Sequence, residues 1–299
     1  MSQLKVDTLR HTSATSDNIA LASDGTVTIS KLSGFTSLGM GGVVAEYVES
    51  GTTYRAHTFT AGSSKFQCFG SMTVDYLLVG GGGGSTHAEG ALGSIGGAGG
   101  GGMVVATSQT IAAGTHTVVV GAGGAKGTNA YVSGSDGGDS TFNGHTAKGG
   151  GGSGDYNTVG RDGGSGAGGS ENSKAAGSTN QNTYSGVTNV TGYGNNGGAG
   201  STYSGSPQGS GSGGGAGGAG SAGADGLVAG GVGRASTFRN GTSVTYARGG
   251  NGHNGQYDSA DEADNTGNGA HGVSTTSGNN NDNSGDGGSG IVVIRYAVS

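Results

Sequence analysis

The chain has 299 residues, of which 75 are glycine and one, Pro207, is proline, and its formal net charge at pH 7 is −6. Charged residues make up 11% of the chain, both signs are interspersed and no basic run occurs, which argues against a nucleic-acid partner. The near absence of proline excludes collagen, and no stretch approaches the roughly 20 apolar residues of a membrane helix.

The first predicted domain is a short N-terminal segment, residues 1–42. Apolar and polar residues alternate in three short pieces that begin at Leu4, Ile19 and Val27, with turn residues between them. Strands this short need partners, so we expect them to intertwine with identical copies. The segment is predicted to attach and oligomerise the protein, and glycines between 34 and 42 are predicted to form a flexible joint. It lacks the basic start and apolar core of a signal peptide, so we expect synthesis in a cytoplasm.

The second predicted domain, residues 43–299, is expected to be all-β. Pieces rich in Val, Ile, Tyr, Phe and Thr are punctuated by glycine and by Asn-Gly pairs at 143–144 and 240–241. Apolar residues do not recur at helical spacing over three turns. The strands near Tyr54 and at 291–296 are expected to lie close together and to tie the domain shut. The predicted strands are 43–48, 55–60, 65–68, 74–79, 103–106, 116–120, 140–142, 243–247 and 291–298.

Glycine recurs at every third residue in three runs. A period of three is the repeat of the polyproline-II helix, and glycine lets the contacting faces of two such backbones approach closely. We therefore predict glycine-rich helices of the polyproline-II type, packed side by side and inserted between the strands; a disordered glycine-rich tail is the alternative. The predicted contact glycines are Gly90, Gly93, Gly96, Gly99, Gly102, Gly160, Gly163, Gly166, Gly169, Gly211, Gly214, Gly217, Gly220, Gly223 and Gly226.

Five strings of residues carry a family resemblance. They are Val-Asp-Tyr-Leu-Leu-Val-Gly-Gly-Gly-Gly-Gly (74–84), Gly-Gly-Ala-Gly-Gly-Gly-Gly-Met-Val (96–104), Thr-Val-Val-Val-Gly-Ala-Gly-Gly (117–124), Gly-Gly-Asp-Ser-Thr-Phe (137–142) and Gly-Ser-Gly-Ile-Val-Val-Ile-Arg-Tyr (288–296). Together they resemble the glycine-rich domain of phage tail-fibre and adhesin proteins, notably those of marine phages. The start of the chain, with Leu-Lys-Val-Asp-Thr-Leu-Arg-His-Thr (4–12), resembles the N-termini of virion fibre proteins.

The resemblance implies a β-sandwich with inserted polyglycine-II helices, exposed loops and a role in surface binding. We accordingly expect a virion structural protein, a tail-fibre or adhesin subunit that binds a glycan or protein of a bacterial surface and acts outside the cell. A homotrimer is expected, because a thin core needs other subunits and because several copies multiply weak contacts. Residues 1–42 are expected to bind other virion tail proteins. The chain departs from the pattern at 171–209 and 255–284, which are rich in Ser, Thr, Asn and Asp.

Tyrosines in these polar surroundings are the candidate receptor-binding residues. A tyrosine ring gives a flat, partly polar contact surface, and nearby Ser, Gly and Asn give adaptable hydrogen bonds. Shielding of neighbouring glycine helices is the alternative role for each ring. The candidates are Tyr156, Tyr184, Tyr193, Tyr203 and Tyr257. By contrast, Tyr54, Tyr76, Tyr246 and Tyr296 lie in strands and are predicted to be core residues, as is the thiol of Cys68.

Catalysis, cofactors and metals find little support in the sequence. The glycines that follow the strand at 117–120 resemble a dinucleotide fingerprint, but no helix follows them. Acidic residues cluster at 258–264 and at 282–286 without EF-hand spacing, which leaves a solvated loop or a calcium site as the two interpretations. The histidines show no zinc spacing. We therefore predict no enzyme activity, no cofactor and no metal site.

A second function remains open beside the adhesin. The same glycine architecture could serve a structural subunit of an extracellular filament, built by head-to-tail contacts that do not close. In that case the N-terminal strands would add to the sheet edge of a neighbour.

Overall fold

The structure is a computed structural model that describes residues 39–87, 93–128, 132–156, 158–202, 209–253, 259–275 and 284–298, together with the strands at 8–9, 19–21 and 27–28. The described residues contain no helix, so the prediction of an all-β chain is confirmed. The strands are β1 (Thr8–Leu9), β2 (Ile19–Leu21), β3 (Val27–Thr28), β4 (Gly39–Met40), β5 (Val43–Glu49), β6 (Thr52–Phe59), β7 (Gly62–Cys68), β8 (Met72–Val79), β9 (Gly93–Ser94), β10 (Met103–Ile111), β11 (Gly114–Val120), β12 (Ser140–Phe142), β13 (His145–Ala147), β14 (Val190–Tyr193), β15 (Arg234–Ser236), β16 (Val244–Tyr246), β17 (Ser274–Thr275) and β18 (Ile291–Ala297).

Two antiparallel sheets carry most of the strands. The larger has the order β14-β10-β8-β18-β6-β5 and the smaller has the order β13-β12-β11-β7-β4. Strand β18 lies between β8 and β6, and Tyr54 pairs with Ala297. The expectation that the strands near Tyr54 and at 291–296 lie together is therefore confirmed.

The N-terminal strands and β4 lie within the segment predicted for residues 1–42. Strands β1, β2 and β3 form a small antiparallel sheet. The predicted strand residues Leu4 and Val6 lie outside the described residues. Strand β4 pairs with β7 through Gly39 and Cys68, so Gly39 and Met40 of the predicted joint belong to the smaller sheet.

The two large sheets share one buried apolar cluster. Phe66 and Phe142 of the smaller sheet meet edge to face, with ring centroids 6.3 Å apart, and Phe142 meets Tyr76 of the larger sheet at 5.2 Å. Alternation with period two places Val292 and Ile294 in this cluster and their neighbours on the opposite face. Tyr76, Tyr296 and Cys68 are buried as predicted.

A second apolar cluster covers the outer face of the larger sheet. Leu77 and Val293 point into it, and Tyr246, on the hairpin of β15 and β16, covers them. Tyr246 is fully buried, as predicted for a core residue, whereas Tyr54 is only half-buried. Both faces of the central strands are therefore buried, which explains the continuous apolar run in β18.

Beyond the sheets, the glycine segments form a set of hydrogen-bonded backbones that we call the glycine bundle. Three successive residues donate to three different segments: Gly80 to Gly102, Gly81 to Gly138 and Gly82 to Gly288. The next three residues donate to the same three segments in the same order. Residues 83, 84 and 85 donate to 99, 135 and 285. The bundle consists of residues 80–87, 95–102, 121–127, 132–138, 148–154, 158–163, 164–170, 174–180, 194–200, 209–217, 218–224, 228–233, 247–253, 266–273 and 284–290.

Close backbone contact on several sides explains the glycine content of the bundle. A Cβ atom on Gly81 would overlap the carbonyl of Ala122, one on Gly82 that of Asn268, and one on Gly83 that of Gly151. The sequence pattern predicted one contact face with glycine at every third residue. Inside the bundle, consecutive residues each face a different neighbour, so runs such as 80–84 need glycine at every position.

The period-three runs do not each correspond to one straight segment. The chain reverses between 163 and 164, so that the N–H of Ala167 donates to the carbonyl of Arg161. It reverses again near 217, where Gly215 and Gly218 bond to each other. Gly226 lies in a turn with φ of 83°, and no atom would contact its Cβ. Of the predicted contact glycines, Gly90 lies outside the described residues.

Replacing Gly82 with alanine tests the backbone packing. The new methyl group would overlap the carbonyl of Asn268, and we expect a loss of stability at or above the roughly 1–3 kcal/mol of overpacked cores. Gly218→Ala is the matched control, because its Cβ would meet only one methyl group of Val232, at 3.1 Å. Chemical denaturation of both variants measures the difference. Equal stabilities would contradict close packing around Gly82.

Candidate functional site: the distal end of the glycine bundle

The registers of the glycine bundle define two ends. Gly80, Gly102 and Gly290 adjoin β8, β10 and β18, so this end of the bundle touches the sheets. Hydrogen bonds from Ser85 to Gly285 and from Ile95 to Val273 lie six to eight residues along the bundle from the two large sheets, the second of them next to the short pairing of β9 with β17. We call this second end the distal end. The described turns at 171–173 and 225–226 lie there.

The chain enters the sheets at the end opposite to the distal end. Gly39 pairs with Cys68 at the far end of β7, and its N–H donates to the hydroxyl of Tyr296 over 2.9 Å. His57 fixes the same point, since its Nδ1 lies 2.7 Å from the carbonyl oxygen of Gly41. We call this end the base. Gly39 therefore lies at the end of the domain opposite to the distal end.

A polar groove of about 450 Å³ opens at the distal end. Four stretches of chain meet there: the end of 80–87, 126–128, 259–261 and the start of the segment at 284. Ser259 and Ser284 are buried in its wall, and the hydroxyl of Ser284 donates to the carbonyl of Gly127 over 2.8 Å. We call this the distal groove; its lining is His87, Lys126, Gly127, Thr128, Ser259, Ala260, Asp261 and Ser284.

An ion pair stands on the wall of the distal groove. The Nζ of Lys126 lies 2.8 Å from the Oδ1 of Asp261. The side chain of Lys126 is 40% exposed and that of Asp261 is 58% exposed. Asp261 also accepts the backbone N–H of Asp286, while the N–H of Lys126 donates to Asp286 over 2.7 Å. The backbone bond from Asp286 and the ammonium of Lys126 lower the pKa of Asp261. Both charges are therefore present at neutral pH, side by side and accessible.

This groove offers a ligand one strong donor and one strong acceptor within hydrogen-bond distance of each other. Charge-assisted hydrogen bonds of this kind suit hydroxyl-rich or amide-bearing ligands, which both donate and accept. The sequence placed Asp261 in an acidic loop and gave no signal for Lys126, which lies 135 positions away. Only the pairing of distant glycine segments brings the two together.

The five candidate tyrosines do not form one site. Tyr156 lies at the distal end, partly buried against Ile95 and Val273. Tyr184 lies beside the sheets, where its hydroxyl accepts from the N–H of Thr146 over 2.7 Å and donates to the carbonyl of the same residue.

Tyr193 ends strand β14, and the guanidinium of Arg234 lies 3.8 Å from its ring centroid. Tyr203 and Tyr257 lie outside the described residues. Tyr184 and Tyr193 therefore hold parts of the sheet region together, and Tyr156 is the described candidate that shares the distal end with the groove.

A larger cavity, of about 500 Å³, lies toward the base on the outer face of the larger sheet. Its charged residues are held by the protein itself. The guanidinium of Arg295 donates from Nε to Asp75 over 3.1 Å and from Nη1 to Glu49 over 2.6 Å, and it lies between the rings of Tyr54 and Phe238. Because these groups satisfy one another, the cluster ties strands together rather than presenting a site.

Loss of Arg295 is expected to destabilise the fold. The side chain is 8% exposed, and Arg295→Leu leaves two carboxylates without their cation, at a cost of about 3–5 kcal/mol. Arg161→Leu is the control, because the pair of Arg161 and Asp136 is 47% and 40% exposed and contributes less than about 1 kcal/mol. Denaturant titration compares the two. A similar loss in both variants would contradict a structural role for the cluster around Arg295.

The described acidic residues of the two predicted clusters have different partners. Asp261 and Asp286 come together around Lys126, whereas Glu262 approaches the Nε2 of His271 at 3.3 Å. Across the part of the chain that the structure describes, no three His, Cys, Asp or Glu side chains could hold a metal ion together. Asp258 and Asp282 of the predicted clusters are not among the described residues.

A buried histidine makes stability depend on pH. Burial, and to a lesser degree the nearby His271, lowers the pKa of His253 to about 4 from an ordinary value of 6.5. The unfolded chain therefore binds the proton more readily between pH 6.5 and 4, and the free energy of unfolding falls as the pH falls through this window. Over the whole window, from pH 6.5 to pH 4, the lowered pKa of His253 reduces the free energy of unfolding by about 3 kcal/mol.

His253→Gln tests this dependence. We expect the variant to lose less stability than the wild-type protein between pH 7 and pH 4.5, as measured by urea denaturation. His116→Gln, in strand β11 of the smaller sheet, serves as control, because this side chain is only partly buried; its urea denaturation is measured at the same two pH values. If the free energy of unfolding of His253→Gln depends on pH as that of the wild type does, other groups cause the acid sensitivity.

The glycine-rich domain family matches residues 58–297, so most of the chain is covered and the chain belongs to this family. The match begins at the end of β6 and covers the strands from β7 to β18 together with the glycine bundle. No curated protein matches the chain. Among the described residues, no helix is long and apolar enough to span a membrane.

Proposed function

We propose that the chain is a virion structural protein, a tail-fibre or adhesin subunit whose distal end binds a receptor on a bacterial surface. The observation that carries the proposal is the separation of two ends. The chain enters at the base, and the turns of the glycine bundle meet at the distal end together with the polar groove around Lys126 and Asp261. A protein that is attached at one end and binds a surface with the other needs two such different ends.

In this proposal the glycine bundle is a set of polyglycine-II helices that extends a β-sandwich. The hydrogen-bond period of three residues in segment 80–85 supports this, because it equals the repeat of the polyproline-II helix. Hydrogen bonds in three directions make each interior helix rigid although it carries few side chains. The bundle then acts as a stiff spacer that presents the distal turns.

The receptor in this proposal is a surface glycan or a surface protein. The distal groove supplies an ammonium and a carboxylate that are both ionised and partly exposed, and the serine hydroxyls nearby add neutral partners. Tyr156 adds an aromatic surface at the same end. Binding at one such groove is weak, so we propose that the protein works as a homotrimer, attached to other tail proteins through residues 1–42, and gains affinity by avidity.

Removal of the Lys126 side chain tests the proposal. Fluorescently labelled protein is titrated onto a panel of bacterial strains and onto immobilised surface glycans. Lys126→Ala is expected to weaken binding about tenfold, the loss of one charge-assisted contact. Lys148→Ala is the matched control: its ammonium also lies 2.8 Å from a carboxylate, that of Asp139, but beside the sheets. Equal binding by both variants would rule out the distal groove, and absence of binding to every surface would overturn the adhesin proposal.

One observation favours the alternative, a structural subunit of an extracellular filament. Strand β5 forms an open edge of the larger sheet, and an open edge can accept a strand from a neighbour. In a filament the N-terminal strands of one copy would add to β5 of the next. Negative-stain imaging distinguishes the two functions, because a filament has indefinite length whereas an adhesin forms a discrete particle.

A further inference from the structure

A pocket of about 300 Å³ lies on the outer face of the larger sheet, beside the hairpin of β15 and β16. Side chains of β10 and β14 form one wall, and the hairpin with its turn forms the other. The volume is at the lower end of the range for small-ligand sites. We call it the hairpin pocket; its lining includes Val105, Tyr193, Arg234, Ser236, Phe238 and Ser243.

Pairing within the hairpin turns Arg234 toward the sheet. Arg234 pairs with Tyr246, and opposite residues of an antiparallel pair point to the same face. Because Tyr246 is fully buried against the larger sheet, the side chain of Arg234 extends on the sheet side of the hairpin. It reaches β14, the last strand of the sheet, where its guanidinium lies 3.8 Å from the ring centroid of Tyr193. The ring of Tyr193 therefore holds the cation at the wall of the pocket.

The protein does not neutralise the cation of Arg234. Within the described part of the chain its guanidinium makes no ion pair and no hydrogen bond, and the pocket lining contains no acidic residue. Glu49, which accepts from the hydroxyl of Thr237 in the lining, is already paired with Arg295 over 2.6 Å. Contact with the face of a ring uses none of the five N–H donors of a guanidinium. Arg234 therefore keeps its donors for a ligand.

Around this cation the pocket offers an apolar surface and hydroxyl groups. Val105 and Phe238 are half-buried, and Phe238 is held in place by Arg295, whose guanidinium lies 3.8 Å from its ring centroid. The hydroxyl of Ser236 accepts from the N–H of Phe238 over 3.3 Å, which leaves its O–H as a donor, and Ser243 is exposed. A ligand that matches these groups has an anionic group, an apolar face and hydroxyls.

We propose that the hairpin pocket binds a carboxylate-bearing sugar unit, such as a uronic acid. A guanidinium forms two parallel hydrogen bonds with a carboxylate, and one cation neutralises one carboxylate. The C–H face of the sugar ring packs on Val105 and Phe238, and its hydroxyls bond to the serines. A phosphate monoester fits less well, because it carries more charge than one guanidinium neutralises. The inference is independent of the proposed function, since it concerns a pocket beside the sheets and not the distal groove.

Removal of the Arg234 cation tests the inference. The full-length protein is titrated with sodium glucuronate at physiological salt, and binding is followed by saturation-transfer NMR of the sugar protons. We expect Arg234→Gln to weaken binding about tenfold, because one charge-assisted contact is lost. Arg239→Gln is the matched control, since Arg239 is exposed in the turn of the same hairpin but does not line the pocket. Equal weakening in both variants, or no binding by the wild type, would overturn the inference.

Tyr193→Leu tests the role of the ring without changing the charge. We expect weaker glucuronate binding with an unchanged circular dichroism spectrum, because the guanidinium loses the surface that positions it. Wild-type affinity in this variant would contradict that positioning role.

Two other ligands and one further variant define the ligand class and its place. Glucose lacks the carboxylate, and it and inorganic phosphate are each expected to bind about tenfold more weakly than glucuronate. Equal binding of either one would contradict recognition of a carboxylate sugar. Lys126→Ala removes the cation of the distal groove and should keep glucuronate binding. Loss of binding in that variant would place the ligand in the distal groove and overturn the inference.

Discussion

Close contact between backbones is the constraint on which the glycine bundle depends. Each interior segment donates its N–H groups in three directions, and each direction needs a neighbour so near that a Cβ atom would overlap a carbonyl group. Backbone hydrogen bonds, which a buried chain must form anyway, here replace side-chain packing as the main source of order. The composition follows: glycine fills the bundle, and apolar residues are kept for the two sheets and their covers.

The sheets set the position of the bundle. Strands β8 and β11 continue into glycine segments at Gly80 and Gly121, and β10 and β18 begin where glycine segments end. The register of the strands therefore fixes which glycine segments are neighbours when they leave the sheets. Arg295 and its two carboxylates bind the strands at the base, far from the distal groove. The strands at the base are thus tied by a side-chain cluster, whereas backbone hydrogen bonds make most of the contacts between segments of the bundle.

The sequence predicted the strands better than the bundle, for physical reasons. Alternation of apolar and polar residues is local, so strands such as 74–79 and 140–142 could be recognised, and the Asn143-Gly144 turn follows from its residue types. Short strands such as β14 depend on a neighbour far along the chain and left no local signal. The glycine period predicted close backbone contact but not the reversals near 163 and 217. The pair of Lys126 and Asp261 escaped prediction because long-range pairing creates it, whereas the fully buried Tyr76 and Tyr246 follow from strand pattern alone.

The position of β18 has a consequence for how the protein is made. This strand fills the middle of the larger sheet, between β8 and β6, although its residues come more than 200 positions after those of β6. Until residue 297 has left the ribosome, the strand that lies between β6 and β8 is missing, and the apolar residues of these two strands stay exposed. Folding therefore waits for synthesis of the whole domain, and contacts so distant in sequence make it slow. A chain interrupted before β18 lacks the strand between β6 and β8 and cannot complete the larger sheet.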